Sequence, residues 1–293
     1  MNDLQKLQKK AWQLRLDCIE AVHASALKHG HLGGCLSMAE IIAALYYHFL
    51  RVDPANPLWP ERDRMVLSKG HNCLMQYAAL ADRGYFPREL LASYKSLGSP
   101  LQGHPDMHKC PGIDFTTGSL GQGLSIGVGM CLSARRNAQD YRTYVIMSDG
   151  EMQEGMTWEA AMAAAHYKLD NLVCIVDRNN LQVNGETQTI MNIEPLEQKF
   201  AAFGWNALRI DGHNMCQIVS ALKYAQSQKG APFVLICDTV KGKGVGYMEN
   251  VMEWHAKVLE EAQYQQAVNA LKRAQAMVGQ EVEDEGSDNS RTV

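Results

Sequence analysis

Residues 143–181 read TYVIMSDGEMQEGMTWEAAMAAAHYKLDNLVCIVDRNNL. Two short apolar runs, at 143–147 and 172–177, flank a stretch of small and apolar residues at 156–167 that predicts a helix. A strand, a helix and a second strand of these lengths are typical of a βαβ unit, whose strands are parallel. This segment therefore predicts a parallel sheet, with both strands ending at the same edge.

The rest of the chain repeats this alternation. Ser37 to Glu40 has the spacing of a capping box and predicts a helix that continues to about Leu50. Alternating strands and helices predict the α/β class, a parallel sheet with helices on both faces, in a single domain over residues 1–280. The acidic, polar segment 281–293 predicts a disordered tail. Further strands are predicted at 64–68, 207–210 and 233–238, and further helices at 3–29, 120–137, 214–228 and 255–277.

Composition narrows the class of protein. The 293 residues carry 28 Lys and Arg against 32 Asp and Glu, a formal net charge of −4. This balance offers no electrostatic footprint for nucleic acid or for an anionic membrane. The eight cysteines form no CxxC pair, the N-terminus has no apolar signal segment, and the longest apolar stretch, 38–50, is too short to span a bilayer. These features predict a cytoplasmic protein with reduced thiols and neither a nucleic-acid nor a membrane partner.

Polar side chains follow both strands of the quoted segment. Asp149 and Gly150 come after the first strand, and Asn179 comes after the second, 30 residues later. An Asp-Gly or Asn-Asn pair alone is usually a turn. Together, at one sheet edge, a carboxylate, an amide oxygen and a backbone carbonyl supply half of an oxygen shell for Mg²⁺, which a diphosphate and water would complete. The spacing predicts a site for a divalent cation and a diphosphate.

Three of the ten histidines stand apart, because His31, His71 and His104 each follow a glycine outside helical periodicity. Imidazoles near their pKa suit the movement of hydroxyl protons near neutral pH. We interpret these three as functional. The remaining histidines outside the C-terminal region are interpreted as surface or core residues, and these are His23, His29, His48, His108, His166 and His213.

Two glycine-rich stretches complete the set. The stretch at 117–123 lacks the GxxxxGK[ST] pattern, which excludes a P-loop, and it has the wrong spacing for a dinucleotide fingerprint. The second stretch, at 242–246, predicts a flexible loop near the site. Either Lys241 or Lys243 contacts a phosphate there, or both are simply exposed to solvent.

The sequence motifs around these residues resemble those of one family. SDGEMQEG (148–155) followed by DRNNLQVNG (177–185) is similar to the thiamine diphosphate motif, with Ser148 in place of its first glycine. Five further motifs occur in the same order as in transketolases. The resemblance covers residues 10–260 and corresponds to the first half of such an enzyme. The five motifs are GHLGG at 30–34, SKGH at 68–71, GHP at 103–105, TTGSLGQG at 116–123 and WEAA at 158–161.

The resemblance implies the thiamine diphosphate-binding (PP-type) fold and a role for each matching residue. His31 and His104 would bind substrate hydroxyls and move protons, and His255 is matched loosely to a further active-site histidine that would also touch the cofactor. Glu154 matches a buried glutamate that links two cofactor sites across a dimer. The implied ligands of Mg²⁺ or Ca²⁺ are Asp149, the Asn179 side chain and the Leu181 carbonyl. The implied cofactor contacts are His71, Gly118, Ser119, Leu120, Gly150, Glu154, Asn179 and His255.

The resemblance also implies an activity. The chain would be the diphosphate-binding subunit of a split transketolase, which transfers a two-carbon ketol unit from a ketose or ketose phosphate to an aldose. A separate pyrimidine-binding subunit, similar to the C-terminal half, would complete an α₂β₂ heterotetramer. Two alternatives are the α subunit of an E1-type 2-oxo acid dehydrogenase and a non-catalytic cofactor-binding protein. The GHP and TTGSLGQG motifs favour the transketolase over the dehydrogenase. The intact set of histidines and acidic residues argues against the non-catalytic protein.

Overall fold

A computed structural model describes residues 1–280, so the predicted tail at 281–293 lies outside the described residues. The strands are β1 (His29–Gly30), β2 (Arg64–Leu67), β3 (Thr143–Ser148), β4 (Leu172–Arg178), β5 (Asn206–Asp211), β6 (Phe233–Asp238) and β7 (Lys257–Val258). The α-helices are α1 (Asp3–Ala24), α2 (Leu32–Ser37), α3 (Ala39–Ala44), α4 (Cys73–Asp82), α5 (Gly123–Arg136), α6 (Gly155–His166), α7 (Thr187–Ile190), α8 (Leu196–Phe203), α9 (Met215–Ser227) and α10 (Glu261–Met277).

Five strands form one parallel sheet in the order β2-β3-β4-β6-β5. The predicted βαβ unit is confirmed, because β3 and β4 pair in parallel from Thr143 opposite Leu172 to Ser148 opposite Asp177. The carboxyl ends of β3 and β4 therefore lie side by side, and the polar loops that follow them leave the sheet at the same edge.

Both faces of the sheet are covered, as predicted. Along β3, Tyr144 and Ile146 pack into one core, while Val145 and Met147 pack into the other. The first core also contains buried residues of α1, α3, α4 and α9, and the second contains residues of α5, α6 and α8. This double burial explains the continuous apolar runs of the strands.

The predicted capping box at Ser37 is wrong. Ser37 is fully buried at the end of α2, where its hydroxyl donates to Asp177 Oδ2 at 2.5 Å and its Oγ lies 3.0 Å from the Gly34 carbonyl oxygen. Glu40 pairs with Arg15 at 2.5 Å instead of capping the helix. Tertiary hydrogen bonds to other elements outweigh the local pattern here, and the helical segment is split at Met38 into α2 and α3.

A second, two-stranded sheet joins distant parts of the chain. β1 pairs antiparallel with β7, with His29 opposite Val258 and Gly30 opposite Lys257. This pairing brings the residues after β1 beside those before β7, near the carboxyl edge of the main sheet. Over residues 1–280, no helix combines the length and the apolarity needed to cross a membrane.

Candidate active site

A cavity of about 280 Å³ opens at the carboxyl edge of the main sheet. Its walls come from the segments that follow β1, β2, β3, β4 and β6, together with the segment before β7. Eight of the twelve residues to which the resemblance assigns a role line it: His71, Leu120, Asp149, Gly150, Glu154, Asn179, Leu181 and His255.

Asp149 is held at the floor of this cavity by backbone donors. Its Oδ1 accepts from the Gly150 amide at 2.8 Å, and its Oδ2 accepts from the Asn180 amide at 2.5 Å. The side chain is 2% exposed, and burial, assisted by the charge of Asp177, raises the pKa of the Asp149 carboxyl to about 6. A buried carboxylate that is destabilised in this way is a favourable place for a bound cation.

The loop after β4 supplies two further oxygens, which are the side-chain oxygen of Asn179 and the backbone carbonyl oxygen of Leu181. Asn179 is buried, and its Oδ1 accepts from the Leu181 amide at 3.2 Å. Asn180 adopts a left-handed backbone with φ +62°, which asparagine tolerates better than most residues. This turn aims the Asn180 amide at Asp149, so the second asparagine of the pair shapes the loop while the first lines the cavity.

The donor set fits a hard divalent cation. Within residues 1–280, no group of three or more His, Cys, Asp or Glu side chains is placed to hold a metal ion. The cavity instead offers one carboxylate, one amide oxygen and, at Leu181, one backbone carbonyl. Oxygen ligands of this kind suit Mg²⁺ or Ca²⁺ rather than a soft metal.

Lys241 occupies the position next to these oxygens. Its ammonium donates to the Leu181 carbonyl at 3.0 Å and approaches His255 Nδ1 at 3.3 Å. The side chain is 2% exposed, and burial lowers the pKa of Lys241 to about 8. Lys243, by contrast, pairs with Glu249 at 3.8 Å and does not line the cavity. Solvent exposure is therefore the wrong interpretation for Lys241.

Three histidines from distant parts of the chain form one cluster. The ring centroid of His31 lies 5.3 Å from that of His71 and 5.5 Å from that of His255, and the last two lie 5.2 Å apart. His31 stands behind the cavity wall that His71 and His255 form. Its Nδ1 is buried and makes no hydrogen bond within residues 1–280.

Burial disfavours the charged form of all three imidazoles. Burial lowers the pKa of His71 to about 2, of His31 to about 3 and of His255 to about 4. Burial also lowers the pKa of His104. The expectation of imidazoles that titrate near neutral pH is therefore not met by His31 and His71, because desolvation and neighbouring cations disfavour the charged form.

His104 and the loop at 118–120 lie beside one another. A Cβ at Gly118 would lie 3.0 Å from Cδ2 of His104, so the ring packs against this glycine. Ser119 is exposed and Leu120 is 38% exposed. Of this group only Leu120 lines the cavity, and His31, His104, Gly118 and Ser119 lie outside its lining.

Glu154 lines the cavity but is exposed in the single chain, in contrast to the buried glutamate of the family motif. The backbone of Gly121 approaches it closely, because a Cβ at Gly121 would lie 2.6 Å from Cβ of Glu154. Gly121 also has φ +80°, which explains the glycine at this point of the loop.

Glu151 has a structural role that the sequence analysis missed. It is fully buried and accepts from the amides of Ser148 and Gly121, at 2.8 and 3.0 Å, and from the Ser68 hydroxyl. It thereby ties the ends of β2 and β3 to the glycine-rich loop. Ser148 has an ordinary negative φ and is accommodated at the end of β3. The sequence signal for this role was a glutamate inside the motif at 148–155.

One further pair was also missed. Lys69 and Asp177, both buried, form an ion pair beside the cavity, and the Thr239 hydroxyl also donates to Asp177. The sequence signal for Lys69 was its place directly before the motif glycine Gly70.

Comparisons with known proteins find one family over most of the chain. The family described as transketolase, thiamine diphosphate binding domain, matches residues 7–289. A 6-deoxy-6-sulfo-D-fructose transketolase subunit of Clostridium sp. (strain MSTE9) is 46% identical over 91% of this chain and 96% of its own length. An apulose-4-phosphate transketolase subunit of Phocaeicola vulgatus is 42% identical over 92% of this chain and 94% of its own length.

Solved structures give the same result for the fold. The crystal structure of transketolase from Campylobacter jejuni superposes with a TM-score of 0.85 and 30% identity. The superposition covers 98% of this chain and 48% of that enzyme, so the chain spans about half the length of the solved transketolase it matches.

Proposed function

The chain belongs to the transketolase family, as its thiamine diphosphate binding domain, and on this premise we propose that it is the diphosphate-binding subunit of a two-chain transketolase. The reaction is the transfer of a two-carbon ketol unit from a ketose to an aldose. The observation that carries the proposal is the juxtaposition of Asp149, Asn179 and the Leu181 carbonyl with His71 and His255 around one cavity.

Asp149, Asn179 and the Leu181 carbonyl would hold Mg²⁺ or Ca²⁺, and through it the diphosphate of thiamine diphosphate. The cofactor, when bound, supplies the cleavage and formation of the C–C bond. Lys241 now donates to the Leu181 carbonyl. With a metal ion bound, the Leu181 carbonyl would be one of its ligands, and the ammonium of Lys241 would face the diphosphate, where its positive charge would balance part of the phosphate charge.

The remaining predicted contacts surround this centre. His71, His255, Leu120 and Gly150 line the cavity and would contact the cofactor. The backbone at Gly118 and Ser119 would do so once the site is closed by a partner chain.

The histidines next to the cavity would handle the substrate. His31 and His104 would bind substrate hydroxyls and move protons, and the unpartnered Nδ1 of His31 is a free polar atom for that purpose. Because burial lowers the pKa of both imidazoles, they would begin the reaction as neutral acceptors of protons.

A partner chain would complete the site. The chain corresponds to about half of a solved transketolase, and apolar side chains at the cavity rim are partly exposed, with Leu120 at 38%, Val183 at 57% and Ile190 at 41%. Exposed apolar groups beside a polar cavity favour a covering protein surface. We propose a pyrimidine-binding subunit similar to the C-terminal half, in an α₂β₂ assembly that buries Glu154 between two cofactor sites.

The substrates are proposed to be sugars with an anionic group, since one relative is named for a sulfonated fructose and another for a sugar phosphate. We also propose that residues 1–280 form one domain, which the shared sheet supports. A cytoplasmic location is supported by eight unpaired cysteines, seven of them buried.

The test is reconstitution. The chain and its candidate partner are purified separately and assayed with thiamine diphosphate and Mg²⁺, alone and mixed, with a ketose donor and an aldose acceptor. We expect ketol transfer only in the mixture. Turnover by this chain alone would refute the split enzyme, oxidation or decarboxylation of a 2-oxo acid would indicate the dehydrogenase alternative, and cofactor binding without any turnover would indicate the non-catalytic one.

A further inference from the structure

His213 links the loop after β6 to the buried core. It lies in the turn after β5, and its side chain is 14% exposed. Its Nε2 lies 2.8 Å from the backbone nitrogen of Val240, the residue directly before Lys241. Its Nδ1 lies 3.1 Å from Oε2 of Glu40, a residue of α3 that is 173 positions away in the chain. The ring therefore bridges a buried carboxylate and the backbone of the loop that carries Lys241.

The carboxylate at one end of this bridge is firmly held. Glu40 and Arg15 are both buried, and the guanidinium donates to the two carboxylate oxygens at 2.7 and 2.5 Å. Nε of Arg15 also donates to the Leu36 carbonyl at 3.0 Å. Although burial opposes ionisation, the charge of Arg15 and the hydrogen bond from His213 lower the pKa of Glu40 to about 2. Glu40 is therefore a charged acceptor in a fixed position.

The two partners of the ring decide which nitrogen carries the hydrogen. A backbone amide can only donate, so Nε2 of His213 accepts from Val240 and carries no hydrogen. The hydrogen of the ring then lies on Nδ1, which donates to Glu40. A hydrogen on Nε2 would face the amide hydrogen of Val240 and would push the loop away from the ring. The contact with Glu40 therefore selects the tautomer that can hold Val240.

Close packing brings the turn after β5 against the end of β6. The Gly212 amide donates to the Asp238 carbonyl at 2.8 Å. A Cβ at Gly212 would lie 2.5 Å from Cγ2 of Thr239 and 3.0 Å from the carbonyl oxygen of Asp238. The turn that carries His213 therefore lies directly against the segment that leads to Lys241.

The backbone is also fixed on the other side of Lys241. The Gly242 amide donates to the Gly33 carbonyl at 2.9 Å. A Cβ at Gly33 would lie 3.0 Å from Cγ of Lys241, so the stem of the lysine packs against that glycine. With His213 holding the amide of Val240 on the N-terminal side, the starting point of the Lys241 side chain is set from both directions.

We propose that His213 is a positioning residue for the diphosphate, acting through Val240 on Lys241. The ammonium of Lys241 lies 3.0 Å from the Leu181 carbonyl and is proposed to face the diphosphate. Its placement matters, because a hydrogen bond from an ammonium to a phosphate oxygen depends steeply on distance and angle. The inference rests on the proposed function, and it assigns a role to a residue that does not line the cavity.

The first test measures the tautomer in the chain alone and needs neither cofactor nor partner. Histidine is labelled with nitrogen-15, and the ring signals of His213 are assigned with the His213→Gln variant. Long-range proton–nitrogen NMR correlations then show which ring nitrogen carries the hydrogen. We expect a hydrogen on Nδ1 and none on Nε2. A hydrogen on Nε2 at the pH of the binding assay would overturn the inference, because His213 could not accept from Val240.

The second test separates the two ends of the ring in the two-chain complex. Asparagine places an amide nitrogen near the position of Nδ1 and can donate to Glu40, whereas glutamine places an oxygen near the position of Nε2 and can accept from Val240. His213→Asn should raise the Kd for thiamine diphosphate, measured by calorimetry with Mg²⁺, at least about fivefold, and His213→Gln should retain most of the affinity. His48→Asn, which replaces an exposed histidine, should bind as the wild type. Equal losses in the two His213 variants would overturn the inference, because the ring would then only fill space.

A double-mutant cycle tests whether the effect passes through Lys241. Lys241→Met should raise the Kd for thiamine diphosphate about tenfold or more. Adding His213→Asn to Lys241→Met should change the Kd by less than about twofold, because the group that His213 positions is already absent. Losses that multiply in the double variant would show that His213 acts by another route and would overturn the inference.

The outcomes also separate this inference from the proposed function. A wild-type complex that binds no thiamine diphosphate would refute the diphosphate site and the role of His213 with it. A wild-type complex that binds the cofactor, with an unchanged Kd in His213→Asn, would overturn the positioning role alone and leave the proposed function standing.

Discussion

Replacement of Asp149 by asparagine separates the stability of the chain from its affinity for the cofactor. Burial raises the pKa of this carboxyl from 3.8 to about 6, which costs the ionised form roughly 3 kcal/mol at neutral pH. Asparagine avoids this cost. Its amide, however, cannot accept hydrogen bonds from both the Gly150 and Asn180 amides, and an unsatisfied buried donor costs about 1–3 kcal/mol. The two effects nearly cancel.

We therefore expect the free energy of unfolding of the Asp149→Asn chain to lie within about 1 kcal/mol of the wild type. Affinity for thiamine diphosphate should behave differently, because the variant lacks the only carboxylate among the proposed metal ligands. The Kd should rise by at least about 100-fold, which corresponds to about 2.8 kcal/mol. Urea unfolding of the chain alone measures the first quantity, and calorimetric titration of the two-chain complex with the cofactor and Mg²⁺ measures the second.

Asp140→Asn is the matched control, since it also removes one carboxylate but from a side chain that is 81% exposed. It should leave both quantities unchanged. An Asp149→Asn complex that binds the cofactor as tightly as the wild type would refute the metal assignment. A variant that loses several kcal/mol of stability would instead show that Asp149 mainly supports the fold.

Three further changes have distinct expected results. His104→Ala should lower kcat at least about 100-fold while the Kd for thiamine diphosphate stays within threefold, because a group that moves substrate protons contributes little to cofactor binding. Loss of cofactor binding with a normal kcat at saturating cofactor would instead assign His104 to cofactor binding. Gly230→Ala, at φ +76° with nothing described within 4 Å of the added Cβ, should cost only the about 1–2 kcal/mol of a left-handed backbone. Gly121→Ala, at φ +80° with a Cβ that would lie 2.6 Å from Cβ of Glu154, should cost at least about 1 kcal/mol more in urea unfolding. Equal losses would contradict the close packing. Burial raises the pKa of Asp17 from 3.8 to about 6, so between these pH values the native state binds more protons than the unfolded state, and the stability of the wild type falls as pH rises. The free energy of unfolding of Asp17→Asn, relative to that of the wild type, should therefore increase by up to roughly 3 kcal/mol between pH 4 and pH 7. A difference that does not depend on pH would contradict this.

The sequence predicted the parts of the structure that depend on apolar periodicity. The strands at β3 and β4 are buried on both faces, so their composition alone marks them, and the 30-residue spacing from Asp149 to Asn179 follows from the length of one βαβ unit. For the same reason, the placement of both residues at one edge follows from the sequence alone.

Features that depend on tertiary contacts could not be predicted. Ser37 matches a capping pattern but is drawn into a buried hydrogen bond with Asp177, a residue 140 positions away. The pairing of β1 with β7 involves only two residues in each strand and has no periodic signal, yet it brings His31 and His255 together. The lowered pKa of these histidines follows from burial, which spacing along the chain does not reveal.

The fate of the two transferred carbons tests the central claim most directly. The chain, its partner, thiamine diphosphate and Mg²⁺ are incubated with a ketose labelled with carbon-13 at C1 and an unlabelled aldose, and the products are followed by NMR. Ketol transfer predicts that the label appears at C1 of a new ketose two carbons longer than the aldose, in the mixture and in neither chain alone. Label released as free glycolaldehyde, label retained in the donor, or transfer by one chain without the other would contradict the assignment of this chain as half of a transketolase.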